Sequence, residues 1–132
     1  MKCAFCEIPE IKERKITENN LALAIPTNIP ITIGHTLIIP KRCVAKFEDL
    51  SDEERNAIFN LAEEIKKALI KTYNAQGFNV AYNENKPAGQ SVPHFHLHIV
   101  PRIENDASKQ RTKPRTRTKS SSIRNSKKFK LT

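Results

Sequence analysis

The sequence predicts an α+β domain, a mainly antiparallel sheet with one long helix, followed by a basic tail. Three observations lead there. Apolar residues between 58 and 73 recur at helical spacing, four β-rich runs flank that segment, and apolar residues become scarce beyond Arg102.

The first run, Glu18–Ile25, is rich in apolar residues, and Pro26-Thr27-Asn28-Ile29-Pro30 ends it with turn chemistry. His35–Ile39 is a second short strand closed by Pro40. Ser51-Asp52-Glu53-Glu54 is a capping box, with Ser51 as N-cap and Glu54 reaching back. Ile58, Leu61, Ala62, Ile65, Leu69 and Tyr73 then give an amphipathic helix of about six turns, which Gly77 is expected to stop. Phe78–Asn83 alternates as a third strand. A polar loop, 83–89, leads to a fourth at His94–Val100, with Pro93 at a position strands tolerate.

Two regions divide the charge. Residues 1–102 carry 13 Lys/Arg against 12 Asp/Glu, whereas residues 103–132 carry 10 against 2. The net charge of +9 therefore belongs to the tail, and no nucleic-acid patch is argued for the domain itself. We expect a domain over 1–103 and a disordered segment over 104–132, since low hydrophobicity with high charge cannot offset the entropy of ordering. The tail is a candidate arm for nonspecific nucleic-acid or acidic-partner contact, because Lys109–Lys119 has no interleaved aromatics to stack on bases. No membrane span is expected. Three cysteines, an odd number, with no signal-peptide-like run at Met1–Cys6 suggest a reducing, cytoplasmic setting.

The chemistry concentrates in His94-Phe95-His96-Leu97-His98, which holds all but one of the chain's four histidines. On a strand these three imidazoles share a face, while Phe95, Leu97 and Ile99 point to the core. Such a face could be merely hydrogen-bonded, could bind a catalytic metal through three histidines, or could present a nucleophilic imidazole. Gly89-Gln90-Ser91 supplies neutral donors suited to phosphate oxygens and favours the nucleophile.

His94–Val100 resembles the His-φ-His-φ-His-φ-φ motif (φ apolar) of the histidine triad (HIT) superfamily. Gly34–Lys41, Asn83, Gly89–Val92 and Pro101-Arg102 fall in family order, so the resemblance covers about residues 3–102. It implies a HIT-like fold and a nucleotide hydrolase cleaving dinucleoside polyphosphates or nucleoside phosphoramidates at the α-phosphate. His96 would be the nucleophile, forming a nucleotidyl-histidine intermediate. His98 would contact the phosphate and His35 would support it. Asn83, Gln90 and Ser91 would bind phosphate and leaving group, and Phe5, Ile8 and Ile25 would line the base pocket. A homodimer is also implied. Nucleotidyl transfer, and a nucleotide-binding regulatory module without strong catalysis, are the alternatives. The second is favoured by Thr27, which stands where members usually carry an acid for the ribose hydroxyls. Asn85 replaces a common glycine, and asparagine tolerates positive φ.

Some bacterial members bind zinc through an N-terminal Cys-x-x-Cys, a histidine after the Pro-Lys segment, and the first triad histidine. By that likeness Cys3, Cys6, Cys43 and His94 would form a closed structural Zn2+ site, with Cys43 standing in the histidine's place.

Overall fold

Ser51 opens the long helix as its neighbours dictate. In the computed structural model, which describes residues 14–90 and 92–106, the Ser51 side chain accepts from the Glu54 amide and the Glu54 carboxylate accepts from the Ser51 amide. The buried Glu54 carboxylate also takes two bonds from Arg42, at 2.9 and 2.7 Å, which hold it ionised below the ordinary carboxylate range. The helix, α1, runs Asp52–Tyr73. Its predicted face is the buried one: Ile58, Leu61, Ala62, Ile65 and Leu69 are all covered, and Tyr73 packs at the margin. Asn74, in the left-handed region at φ 58°, stops it rather than Gly77. Asparagine tolerates that conformation, and its amide caps the Ile70 and Leu69 carbonyls. Gly77 instead begins a strand.

The sheet has five strands, not four. β1 (Thr17–Glu18) and β2 (Ala22–Pro26) replace the single run expected over 18–25. The break is side-chain chemistry: Asn19 Oδ1 accepts from the amides of Leu21 and Ala22, turning the chain between them. β3 (Thr36–Pro40), β4 (Gly77–Ala81) and β5 (Leu97–Arg102) complete it, in the order β1-β2-β3-β5-β4 with every pairing antiparallel. β5 starts three residues later than predicted, so His94, Phe95 and His96 precede the strand. The Phe95 amide bonds to the Val44 carbonyl there, outside the sheet ladder.

Alternation sorts the sheet's two faces. Ala22, Ala24, Ile38, Leu97 and Ile99 join α1 in the main core, with Phe95 among them. Leu23, Ile25, Leu37 and Ile39 form a second buried cluster on the opposite face. His98 belongs to that second face, because it lies opposite Leu37 in the ladder. Among the described residues no helix is long and apolar enough to cross a membrane. The tail from 107 onward lies outside the described residues.

Gly34 lets the entry to β3 pass beneath the helix. It has φ +93°, and a Cβ added there would lie 2.9 Å from Leu69 Cδ2 and 3.0 Å from the Tyr73 ring. Gly34→Ala is therefore expected to destabilise the fold by about 1–3 kcal/mol, from a strained backbone and overpacking together. A urea denaturation midpoint measures this, and a midpoint equal to that of the parent chain would contradict it.

Candidate active site

Backbone groups orient His94, His96 and His35, and His35 in turn orients His98. His96 lies on the approach to β5, and its Nδ1 is 2.7 Å from the His94 carbonyl oxygen. A carbonyl only accepts, so Nδ1 carries the proton and the ring's lone pair is at Nε2. Just before β3 the Ile31 amide donates to His35 Nδ1 at 3.0 Å, which puts the His35 proton on Nε2. His35 Nε2 is 2.9 Å from His98 Nδ1 and donates to it, leaving the His98 proton on Nε2. His94 differs: its Nε2 donates to the Pro40 carbonyl at 2.8 Å, so its lone pair is at Nδ1.

The rings of His96 and His98 stand 5.2 Å apart, centroid to centroid, and those of His35 and His98 are also 5.2 Å apart. Burial lowers the affinity of His96 for a proton, and the bond to His94 opposes that only in part. His98 is pushed down to about 4, by burial first and by the neighbouring His96 second. At neutral pH the pair therefore combines an imidazole lone pair with an imidazole N–H donor and carries no charge.

A cleft of about 250 Å³ opens beside these two rings, lined also by Ile25, Pro26, Thr27, Asn28, Leu37 and Arg14. His96 and His98 line it, and His35 stands behind His98. His94 does not line it. The three triad histidines are thus divided, with two at the cleft and one turned to the β3 terminus. Ile25 and Thr27 line the cleft. The Thr27 hydroxyl accepts from the Ile29 amide at 3.3 Å, which shapes the turn after β2.

Two other expected residues serve the neighbouring loop. Gln90 Oε1 accepts from the Asn85 amide at 2.8 Å, and its Nε2 donates to the Ala45 carbonyl at 3.1 Å. Its amide therefore clasps the loop whose Asn85 adopts φ 70°. Asn83 packs beside Gly89, its Nδ2 3.5 Å from where a Cβ on that glycine would lie. Phe5, Ile8 and Ser91 lie outside the described residues.

So do Cys3 and Cys6, and among the described residues no cluster of three or more His, Cys, Asp or Glu could hold a metal. Of the expected zinc set only Cys43 and His94 are described. His94 fits a ligand's role, since a ring N–H held by a carbonyl is the usual support for an imidazole that binds metal through its other nitrogen. Cys43 is an exposed thiol three residues beyond Pro40, whose carbonyl holds that ring.

Arg14 was missed by sequence reasoning. It lies in the turn before β1 and reaches the cleft at the end of β2, where its Nη2 donates to the Pro26 carbonyl at 2.8 Å.

Comparison with known proteins finds the family and the fold. The HIT domain matches residues 8–105. The adenosine 5′-monophosphoramidase of Schizosaccharomyces pombe is 38% identical over 104 residues, spanning 77% of this chain and 75% of its own length. A HIT family member from Bacillus subtilis superposes with a TM-score of 0.75 at 29% identity, covering 92% of this chain and 86% of that one. A Zn-bound histidine triad family protein from Mycobacterium smegmatis does so with a TM-score of 0.67 at 34% identity, covering 84% and 78%. With the histidine motif, the antiparallel sheet and these matches in agreement, the chain belongs to the HIT domain family.

Proposed function

We propose that this protein hydrolyses nucleotides at the α-phosphate, with His96 as nucleophile. The observation that carries the reading is the His96 tautomer: Nδ1–H is held by the His94 carbonyl, and the lone pair is at Nε2 beside the N–H of His98. Nε2 of His96 would form a bond to phosphorus as the bond to the leaving group breaks. Water would then cleave the P–N bond and release a nucleoside monophosphate. His98 would donate to the non-bridging oxygens, and His35 would keep that donor correctly oriented. Ile25 and Leu37 would form the apolar floor beneath the nucleoside. Phe5 and Ile8 would add to it, Ser91 and Asn83 would face the phosphate, and Gln90 would act through the loop it clasps.

A nucleoside phosphoramidate is the preferred substrate class, on the likeness to a named phosphoramidase that spans most of both chains. The test is incubation with adenosine 5′-phosphoramidate and, separately, a dinucleoside polyphosphate, with products separated by chromatography. His96→Ala should reduce monophosphate release by about a thousandfold or more, the scale of losing a covalent nucleophile. Turnover that survives in His96→Ala would overturn the assignment. Nucleotide binding with no turnover in the parent chain would favour the regulatory-module reading.

Zinc, in this proposal, is structural and takes no part in the reaction. Cys3, Cys6, Cys43 and His94, the last through Nδ1, would hold it and tie the N-terminal segment to the base of β3. One zinc per chain is expected on elemental analysis. Chelation should lower the melting temperature while leaving the turnover of still-folded protein intact. Loss of turnover in folded, chelated protein would instead indicate a metal-dependent hydrolase. A homodimer formed along the exposed β4 edge, where Val80 is 44% accessible, completes the proposal.

The electrostatics make a separate prediction. Unfolded, His98 takes a proton near pH 6.5, whereas in the fold it does so only near 4. Between those values the unfolded chain binds the extra proton, so this group costs stability as pH falls from about 6.5 to 4 and nothing above. An NMR titration should leave the His98 ring signals unmoved through pH 6.5. A midpoint there would contradict the buried His35–His98 arrangement.

A further inference from the structure

Among its described lining residues, the cleft carries formal charge at one end only. One row of side chains crosses the sheet's helix-free face from His98 to Leu37 to Ile25, because Leu37 lies opposite both in the ladders. Ile25 is therefore two strand spacings from His98, about 10 Å. β2 ends one residue later, and Pro26, Thr27 and Asn28 form the far rim. Extending the β1–β2 register, in which Thr17 faces Ala24, brings Arg14 opposite Thr27. The bond from Arg14 Nη2 to the Pro26 carbonyl holds it there, half-buried against the cleft.

That rim, among the described residues, is rich in donors and has no acid. Among its described lining residues there is no carboxylate, and Arg14 makes no ion pair among the described residues. A guanidinium has five N–H donors, of which the Pro26 carbonyl occupies one. The Thr27 hydroxyl, already accepting from Ile29, has an O–H to offer. A free ribose diol presents two O–H donors and is best met by acceptors. A phosphate monoester, mostly dianionic at neutral pH, presents acceptors and matches the planar guanidinium fork in two bonds.

We infer that Arg14 is a specificity-determining residue that binds a second anionic group of the substrate, a phosphate on the ribose 2′ or 3′ oxygen, at the end of the cleft away from His96. This rests on the nucleotide reading above and narrows it. The sugar spaces the two phosphates, with the apolar Leu37–Ile25 floor beneath it and the reacting phosphorus at the imidazoles. Arg14 does not touch the reacting atoms and sets which nucleotide is accepted.

The test is calorimetric titration of the zinc-loaded full chain, at one fixed salt concentration, with AMP, adenosine 2′,5′-bisphosphate and adenosine 3′,5′-bisphosphate. One bisphosphate should bind at least about tenfold more tightly than AMP, the scale of a charge-assisted bidentate pair. The measured quantity is the ratio of bisphosphate to AMP affinity. It should fall close to one in Arg14→Gln and stay part-way in Arg14→Lys, each variant first shown to melt cooperatively. Equal binding of all three nucleotides by the parent chain would overturn the inference and leave the nucleotide reading standing. So would a preference that survives in Arg14→Gln. Binding of none of the three would overturn both.

Discussion

Antiparallel pairing of β3 with β5, in the register that sets Leu37 opposite His98, is the constraint on which the site depends. It places His35, one residue before β3, within 2.9 Å of His98. It also puts Leu97 and Ile99 in the core under α1 while His98 faces the other way. A slip of one residue would exchange those faces, burying the imidazole beneath the helix and exposing two apolar side chains. Burial of Leu97 and Ile99 thus specifies where the histidines stand, so the energy that folds the domain also assembles the site.

The same pairing explains how several imidazoles can be crowded without mutual repulsion. Desolvation penalises the charged forms of His94, His96 and His98, and each of the four rings is bonded to a backbone group or to its neighbour. The chain Ile31 amide, His35, His98 passes donor to acceptor in one direction. Reversing either tautomer would set two N–H groups, or two lone pairs, against one another in a half-buried contact, at a cost of about 1–3 kcal/mol. Fixed backbone dipoles thus do the orienting that water would do at an exposed histidine.

Much of this was legible in the residues. The capping box of Ser51 and Glu54, the helical face from Ile58 to Leu69, and the inward turn of Phe95, Leu97 and Ile99 follow from local spacing, and the structure repeats them. What spacing missed was set by side chains acting on the backbone. Asn19 splits one apolar run into two strands, and Asn74 ends the helix before Gly77 is reached. The alternation of His94, His96 and His98 implies three equivalent rings. The Pro40 carbonyl takes the first of them, and the strand begins only after the second. Gln90 reads as a donor for phosphate, yet its amide closes the loop between Asn85 and Ala45. Arg14 was the least visible, since it lies in a turn before a two-residue strand that carries almost no sequence signal.

The cleft therefore combines two kinds of determinant with different origins. At the histidine end, geometry follows from core packing and from hydrogen bonds to main-chain atoms, which substitutions on the surface leave alone. At the far end the groups are Thr27 and Asn28, on the turn after β2, and Arg14, in a turn that precedes β1. Chemistry lodged in the core is costly to alter, and recognition lodged on a turn is cheap to alter. A carboxylate or a hydroxyl at position 27 would leave the β3–β5 ladder untouched while changing which sugar the rim can meet. In this chain the rim offers a guanidinium and a hydroxyl beside imidazoles that are themselves neutral. In the proposed reading, the electrostatic preference of the cleft is then set by Arg14, at the end away from the imidazoles and beyond the β2 line.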